Sequence, residues 1–86
     1  MAQIDVINIK KVEKQRNTIH EKVVTTYTTF ENEGCRYLQF DTYGKNDREM
    51  PEKISQSIQF DKASAKYVIN LLLKEFSMSY QDFLEE

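Results

Sequence analysis

The chain has 86 residues, of which 40% are hydrophobic and 30% charged, with a net charge of −2. This composition is typical of one folded domain and excludes a disordered tail. The single cysteine excludes an internal disulfide framework, and no stretch reaches the roughly 18 apolar residues of a membrane span. We therefore expect one cytoplasmic domain over residues 1–86. Because so short a chain buries a small share of its surface, we also expect a homodimer.

The charge is distributed unevenly along the chain. Residues 8–24 contain five basic side chains and only two acidic ones, whereas Asp82, Glu85 and Glu86 make the C-terminal end acidic. The net negative charge excludes binding to a polyanion by bulk charge alone, so the location of the lysines matters more than their number.

The N-terminal third predicts a pair of strands. Ile7 and Ile9 alternate with polar residues, which is the period of a half-buried strand, and predict a first strand over residues 3–13. Residues 19–30 are rich in β-branched and aromatic types and predict a second strand. Gly34 then predicts a tight hairpin, in which Phe30 lies opposite the next strand's first residue.

Two further strands and a helix follow. Alternation predicts strands over 35–43 and 53–60, and Asp61 is a good N-cap for a helix over 62–76. The helix has a stripe of apolar residues that should cover the sheet, namely Ala65, Val68, Ile69, Leu72, Leu73 and Phe76. A capping-box pattern at Ser79 predicts a short turn over 79–84. Three apolar residues outside the stripe are predicted dimer contacts: Leu71, Phe83 and Leu84.

Together these elements predict an α+β domain, a four-stranded antiparallel β-meander followed by one long helix (ββββα), in two layers. Parity along the strands gives an apolar face for the helix to cover, with Ile7, Ile9, Val23, Tyr27, Leu38, Phe40, Ile54, Ile58 and Phe60. The opposite face carries aromatic, amide and hydroxyl side chains, a combination that suits stacking of unpaired bases. The residues predicted to bind nucleic acid are Lys10, Lys22, Tyr37, Gln39, Tyr43, Lys45, Arg48, Lys53 and Ser55. The alternative interpretation is a sheet face that is merely solvated.

Catalytic chemistry is not indicated. Cys35 and His20 lie far apart in the predicted register, so they cannot form a nucleophile pair. The acidic residues of the 45–52 loop alternate with basic ones, which disfavours a cation site. With glycine only at positions 34 and 44, no phosphate-binding loop motif exists. We therefore expect a protein that is not an enzyme and has no metal site and no cofactor.

The strand RYLQFDTY, the element PEK and the segment ISQSIQFDKASAKYV follow one another within residues 35–72. In this order they resemble the single-stranded-DNA-binding transcriptional coactivator family, the positive-cofactor or Whirly-like proteins, whose bacterial and phage members are short. The resemblance implies a homodimer that presents paired curved sheets to unpaired nucleic acid, with Tyr37, Gln39, Tyr43 and Lys53 at matching positions. This chain has Asp41 where the family tends to have a basic residue, and Glu52 where it has glycine.

Two functions follow from these observations. The leading hypothesis is an accessory or regulatory domain of bacterial or phage type that binds single-stranded nucleic acid, more readily DNA than RNA, with the open sheet face. The alternative is a small protein-interaction module, an inhibitor or adaptor that docks on a larger protein partner. Neither hypothesis involves a membrane.

Overall fold

The computed structural model describes residues 1–44 and 53–83, which form a four-stranded sheet and one α-helix. In chain order the elements are β1 (Ala2–Gln3), a 3-10 helix (Val6–Asn8), β2 (Thr25–Asn32), β3 (Cys35–Tyr43), β4 (Ile54–Phe60), α1 (Lys62–Glu75) and a second 3-10 helix (Tyr80–Phe83). The predicted α+β class is confirmed, and β3, β4 and α1 begin and end within one residue of their predicted bounds. The strands lie in the order β1-β4-β3-β2.

The hairpin between β2 and β3 turns on Glu33 and Gly34, whose φ angles are 53° and 81°. A two-residue turn of this kind matches the twist of the flanking strands, and glycine adopts positive φ without steric cost. Asn32 therefore lies opposite Cys35, where the sequence predicted Phe30. Because the register differs by two residues, every side chain of the hairpin keeps its predicted face.

The pairing of β3 with β4 is antiparallel and contains one irregularity. The register shifts between Thr42 and Tyr43, so that Tyr43 lies opposite Ile54. An extra residue in one strand redirects the side chains that precede it. Ile54 consequently lines a depression together with Gln39 and Gln59, and its predicted place on the apolar face is wrong.

The first predicted strand and its hairpin are wrong. Only Ala2–Gln3 is a strand, and it pairs parallel with β4, so the sheet is mixed and not an antiparallel meander. The cause is local, because Asp5 caps the first 3-10 helix: its carboxylate accepts from the backbone N–H of Ile7 at 3.1 Å and from Asn8 Nδ2 at 2.6 Å. Such side-chain bonds compete with strand pairing. Residues 9–24 contain no strand, and β2 begins at Thr25.

Helix α1 starts with a capping box. The Asp61 carboxylate accepts from the backbone N–H of Ser64 at 2.9 Å, and Ser64 Oγ accepts from the backbone N–H of Asp61 at 3.1 Å. The first of these bonds lowers the pKa of Asp61 from its ordinary value. The chain leaves the helix through Ser77, which has a φ of 54°. The predicted turn near residue 79 corresponds to the second 3-10 helix.

The helix does not cover the sheet. Among residues 1–44 and 53–83 no hydrophobic side chain is buried, and the buried residues are Asp41, Ser57 and Ser64. Among the described residues, α1 contacts β4 and the first 3-10 helix, and its first turn lies beside β3. The predicted two-layer core within one chain is therefore wrong, although both layers are present.

The accessible surface and the radius of gyration of the chain both exceed those of a compact domain of this size. Its accessible surface is 8378 Å², whereas a compact monomer of 10.2 kDa exposes roughly 5,300 Å². Its radius of gyration is 15.4 Å, against about 12 Å for a compact domain of this length. The apolar side chains that should form a core are therefore left exposed in the single chain.

Candidate nucleic-acid interface

The two faces of the sheet differ in chemistry. The first, named the polar face here, carries hydroxyl, amide and aromatic side chains, namely Thr26, Thr28, Phe30, Tyr37, Gln39, Asp41, Tyr43, Ser57 and Gln59. The second, the apolar face, carries Tyr27, Leu38, Phe40, Ile58 and Phe60. Successive residues of a strand point to opposite faces, so the pairing register alone assigns each residue.

Three aromatic rings on the polar face contact a side chain of the neighbouring strand. The rings of Phe30 and Tyr37 are cross-strand partners with centroids 5.4 Å apart and planes 20° apart, which is a stacked arrangement. Tyr43 lies farther along β3, where its hydroxyl is 3.1 Å from Thr26 Oγ1. Tyr37 and Tyr43 are half-buried, so part of each residue remains accessible. Such rings provide surfaces on which unpaired bases stack.

A hydrogen-bonded network occupies the centre of the polar face. Asp41 is 6% exposed and accepts from Ser57 Oγ and from Gln39 Nε2, the latter at 2.9 Å. Gln59 Nε2 donates in turn to Gln39 Oε1 at 2.7 Å. Ionised aspartate repels phosphate, but here the carboxylate is withdrawn from the surface and partnered by two neutral donors. What the face offers to a ligand is therefore hydroxyl and amide groups.

Two of the predicted lysines lie at the Tyr43 end of this face. Lys22 precedes Val24, whose carbonyl accepts from the backbone N–H of Tyr43 at 3.1 Å. Lys53 immediately precedes β4, whose first residue, Ile54, is the partner of Tyr43. The backbone positions of these two lysines are therefore at the same end of the sheet, on either side of β3. Predicted residues Lys45 and Arg48 lie outside the described residues.

Lys10 is not on the polar face. It was assigned there through the predicted first hairpin, which does not form. Lys10 instead lines a shallow depression beside the helix, with Ile9, Lys11, Tyr67, Leu71 and Glu75. Ser55 is exposed and sits at the register shift in β4, one residue after the partner of Tyr43.

The predicted dimer contacts differ in their surroundings. Leu71 is 40% exposed and faces the chain's own Ile9–Lys11 segment, while Phe83 is 52% exposed on the second 3-10 helix. Leu84 lies outside the described residues. The structure leaves far more apolar surface elsewhere, because Tyr27 is 66% exposed on the apolar face and Phe76 is 67% exposed on the helix stripe.

Sequence reasoning missed Phe30, Ser57 and Gln59 as site residues. The predicted register put Phe30 at the end of the hairpin, opposite Cys35, where it had no aromatic neighbour. Ser57 and Gln59 were recognised as facing outward but not as members of a network. The signal was present in the sequence, because Gln39 and Gln59 both alternate with apolar residues and a cross-strand pairing would join them.

Other chemistry receives no support from the described residues. In the part of the chain that the structure describes, no three His, Cys, Asp or Glu side chains come together in a way that could hold a metal ion. Nor does any helix there have the length and apolar character needed to cross a membrane.

No protein-family model, no curated protein and no solved structure matches this chain. The resemblance to single-stranded-DNA-binding coactivators therefore stays a prediction.

Proposed function

We propose that this chain is an accessory or regulatory domain of bacterial or phage type that binds single-stranded nucleic acid in the cytoplasm, with DNA preferred over RNA. The observation that carries the proposal is the polar face, where the stacked pair Phe30–Tyr37 and the ring of Tyr43 flank a row of amides. Sequence-independent binding to single strands combines stacking on aromatic rings with basic groups that follow the phosphates. Lys22 and Lys53 supply charge at the Tyr43 end.

We propose further that the working form is a homodimer. A monomer with no buried hydrophobic side chain among its described residues lacks the main favourable contribution to folding. The surface in excess of a compact monomer is roughly 3,000 Å². A stable dimer requires roughly 800 Å² per partner, and an obligate one up to about 2,500 Å². A second copy that covers the apolar face and the helix stripe would bury the apolar side chains exposed there and leave both polar faces outward.

The test is fluorescence anisotropy with a labelled single-stranded DNA, a duplex of the same sequence and a single-stranded RNA, each at two salt concentrations. The proposal expects micromolar or tighter binding to the single-stranded DNA, weaker binding to the duplex, and affinity that falls as salt rises because counterions are released. Binding that is absent, or that is the same at both salt concentrations, contradicts it. Light scattering on the same samples gives the mass of the assembly.

A protein-interaction module is the second candidate, and the exposed apolar face favours it. Phe40 and Ile58 are 40% and 38% exposed, and both would suit the hydrophobic centre of an interface with a different protein. The two candidate functions predict different oligomeric states and different binding partners. A chain that stays monomeric, binds no oligonucleotide after nuclease treatment and retains one stoichiometric protein partner would be an inhibitor or adaptor.

A further inference from the structure

Strand β2 forms one edge of the sheet, because the strands lie in the order β1-β4-β3-β2. All eight of its residues, Thr25–Asn32, are exposed, and among the described residues β2 pairs with β3 alone. The strand at the opposite edge, β1, has only two residues. β2 is therefore the longer edge strand, and the side that faces away from β3 is open along its length.

The hydrogen bonds to β3 determine which backbone groups of β2 point outward. The backbone N–H of Tyr43 donates to the carbonyl of Val24 at 3.1 Å, so these two residues form a hydrogen-bonded pair. In an antiparallel ladder such pairs recur at every second residue. The backbone groups that point away from β3 therefore belong to four alternate residues, named the outward residues here, Thr25, Tyr27, Thr29 and Glu31. Within residues 1–44 and 53–83, no hydrogen bond outside the β2–β3 ladder reaches their backbone.

β2 lacks the features with which natural proteins prevent an edge strand from pairing. Its sequence, TTYTTFEN, contains no lysine and no proline, and its register with β3 runs without a bulge. Glu31 is its only charged residue. A long, regular edge of β-branched and aromatic residues is the kind that accepts another strand.

We propose that the β2 edge pairs with the β2 edge of a second copy of this chain, antiparallel, with Thr28 opposite Thr28 of that copy. In this register each outward residue lies opposite another outward residue, Thr25 opposite Glu31 and Tyr27 opposite Thr29. A shift by two residues in either direction leaves one outward residue of each copy opposite a residue outside β2. The antiparallel direction also keeps the two Glu31 carboxylates roughly 20 Å apart along the strands.

The occupant is a second copy because β2 is complementary to itself. A two-fold contact uses the same patch on both partners, so that every cross-strand pair occurs twice. The proposed register places Tyr27 opposite Thr29 on the apolar face and Phe30 opposite Thr26 on the polar face. Pairs of an aromatic and a β-branched residue are among those that stabilise sheets, and no two charged residues of β2 lie opposite each other.

This contact is distinct from the homodimer contact proposed at the apolar face, because it uses the strand edge and leaves that face uncovered. The two-fold axis of an antiparallel pair is perpendicular to the sheet, so both polar faces lie side by side and point the same way. Formation of the edge contact does not depend on nucleic-acid binding. Thr28→Asp places two carboxylates opposite each other across the axis, so it should release the edge contact and keep the homodimer contact.

Disulfide cross-linking tests both the contact and its register. Cys35→Ser first removes the native exposed thiol. In that background Thr28→Cys places two cysteines opposite each other, with Cα atoms about 4.5 Å apart, a distance that a disulfide spans. Thr26→Cys is the matched control, on the same strand and face, but its two copies are roughly 13 Å apart.

Under mild oxidation, without oligonucleotide, we expect Thr28→Cys to give a covalent dimer on a denaturing gel and Thr26→Cys to remain a single chain. A covalent dimer that forms from neither variant, or equally from both, overturns the proposed contact.

Amide hydrogen exchange tests the contact in the unmodified chain, without any substitution. The N–H groups of Thr26 and Thr28 belong to the β2–β3 ladder and should exchange slowly in any case. Those of Tyr27 and Thr29 are protected only if another strand covers the edge. We expect all four to exchange slowly in a concentrated sample. Rapid exchange at Tyr27 and Thr29 beside slow exchange at Thr26 and Thr28 would show an open edge and overturn the proposal.

Discussion

The two faces of this sheet differ in how far contacts within the chain satisfy their side chains. On the polar face every buried side-chain nitrogen or oxygen of the described residues has a hydrogen-bond partner, and Asp41 is enclosed by its neighbours. On the apolar face Tyr27, Phe40 and Ile58 remain exposed, although they alternate with the polar residues along the same strands. The polar groups of the first face are satisfied within the single chain, whereas the apolar side chains of the second face remain uncovered. This difference is why we propose that they have different roles, recognition on the first and assembly on the second.

The largest effect should come from placing a charge on the apolar face. Phe40 lies between Tyr27 and Phe60, with ring centroids 6.4 and 6.1 Å away. Phe40→Asp should weaken the dimer on the order of 100-fold or more, because it removes a large aromatic contact and leaves an unpaired charge in the interface. Sedimentation equilibrium over a range of concentrations measures this. Thr28→Asp adds the same charge on the polar face and should keep the dimer, so equal loss in both variants would contradict the assignment of faces.

The next effect concerns stacking on the polar face. Tyr37→Ala should weaken binding to single-stranded DNA about 10-fold, as expected for the loss of one base-stacking ring. The control is Tyr67→Ala, which removes an exposed tyrosine from the helix. Anisotropy titrations of both variants give the comparison. If the helix variant loses as much affinity as the sheet variant, the polar face is not the binding surface.

A smaller effect should distinguish lysines that are near the polar face from one that is not. Lys22→Ala and Lys53→Ala should each reduce affinity a few fold and lower the slope of log affinity against log salt by about 0.7, the value for one phosphate contact on a single strand. Lys10→Ala should leave the slope unchanged because Lys10 lines the depression beside the helix. Salt titrations of the three variants in parallel measure this. An equal loss of slope in all three would indicate general attraction by charge.

The smallest effect concerns the helix cap, which lies outside both faces. The pKa of Asp61 is lowered in the folded chain, so its carboxylate stabilises the fold at pH values above its ordinary pKa of 3.8, and this contribution is lost as the pH falls through the lowered value. Asp61→Asn keeps a good N-cap without the charge. The stability difference between wild type and variant should therefore shrink as thermal unfolding is followed from pH 6 to pH 2. A constant difference would contradict the assigned cause, and oligonucleotide binding near neutral pH should be the same in both.

The elements that the sequence predicts well are those whose signals are local. β3 and β4 contain alternating apolar and polar residues, and the N-cap residue Asp61 marks the start of α1, so their bounds follow from local pattern. The assignment of Tyr37, Gln39 and Asp41 to one face also survives a two-residue error in the hairpin register, because parity changes only with an odd shift.

The features that the sequence did not predict depend on competition or on distant partners. Ile7 and Ile9 have the alternation of a strand, but the hydrogen bonds of Asp5 draw the backbone into a 3-10 turn. The pairing of β1 with β4 joins residues more than fifty positions apart, and no local pattern encodes it. An apolar stripe likewise shows which side of a helix is suited to burial. It does not show whether residues of the same chain or of another chain bury it.

The central claim, that the polar face meets the nucleic acid while the apolar face does not, is tested most directly by the side-chain amide signals of three glutamines. Gln39 and Gln59 lie on the polar face, and Gln56 lies between them in sequence but on the other side of the sheet. In a ¹⁵N-labelled sample titrated with single-stranded DNA, the NH₂ resonances of Gln39 and Gln59 should move with the bound fraction while those of Gln56 stay in place. Movement of Gln56 with the other two unchanged would contradict the account.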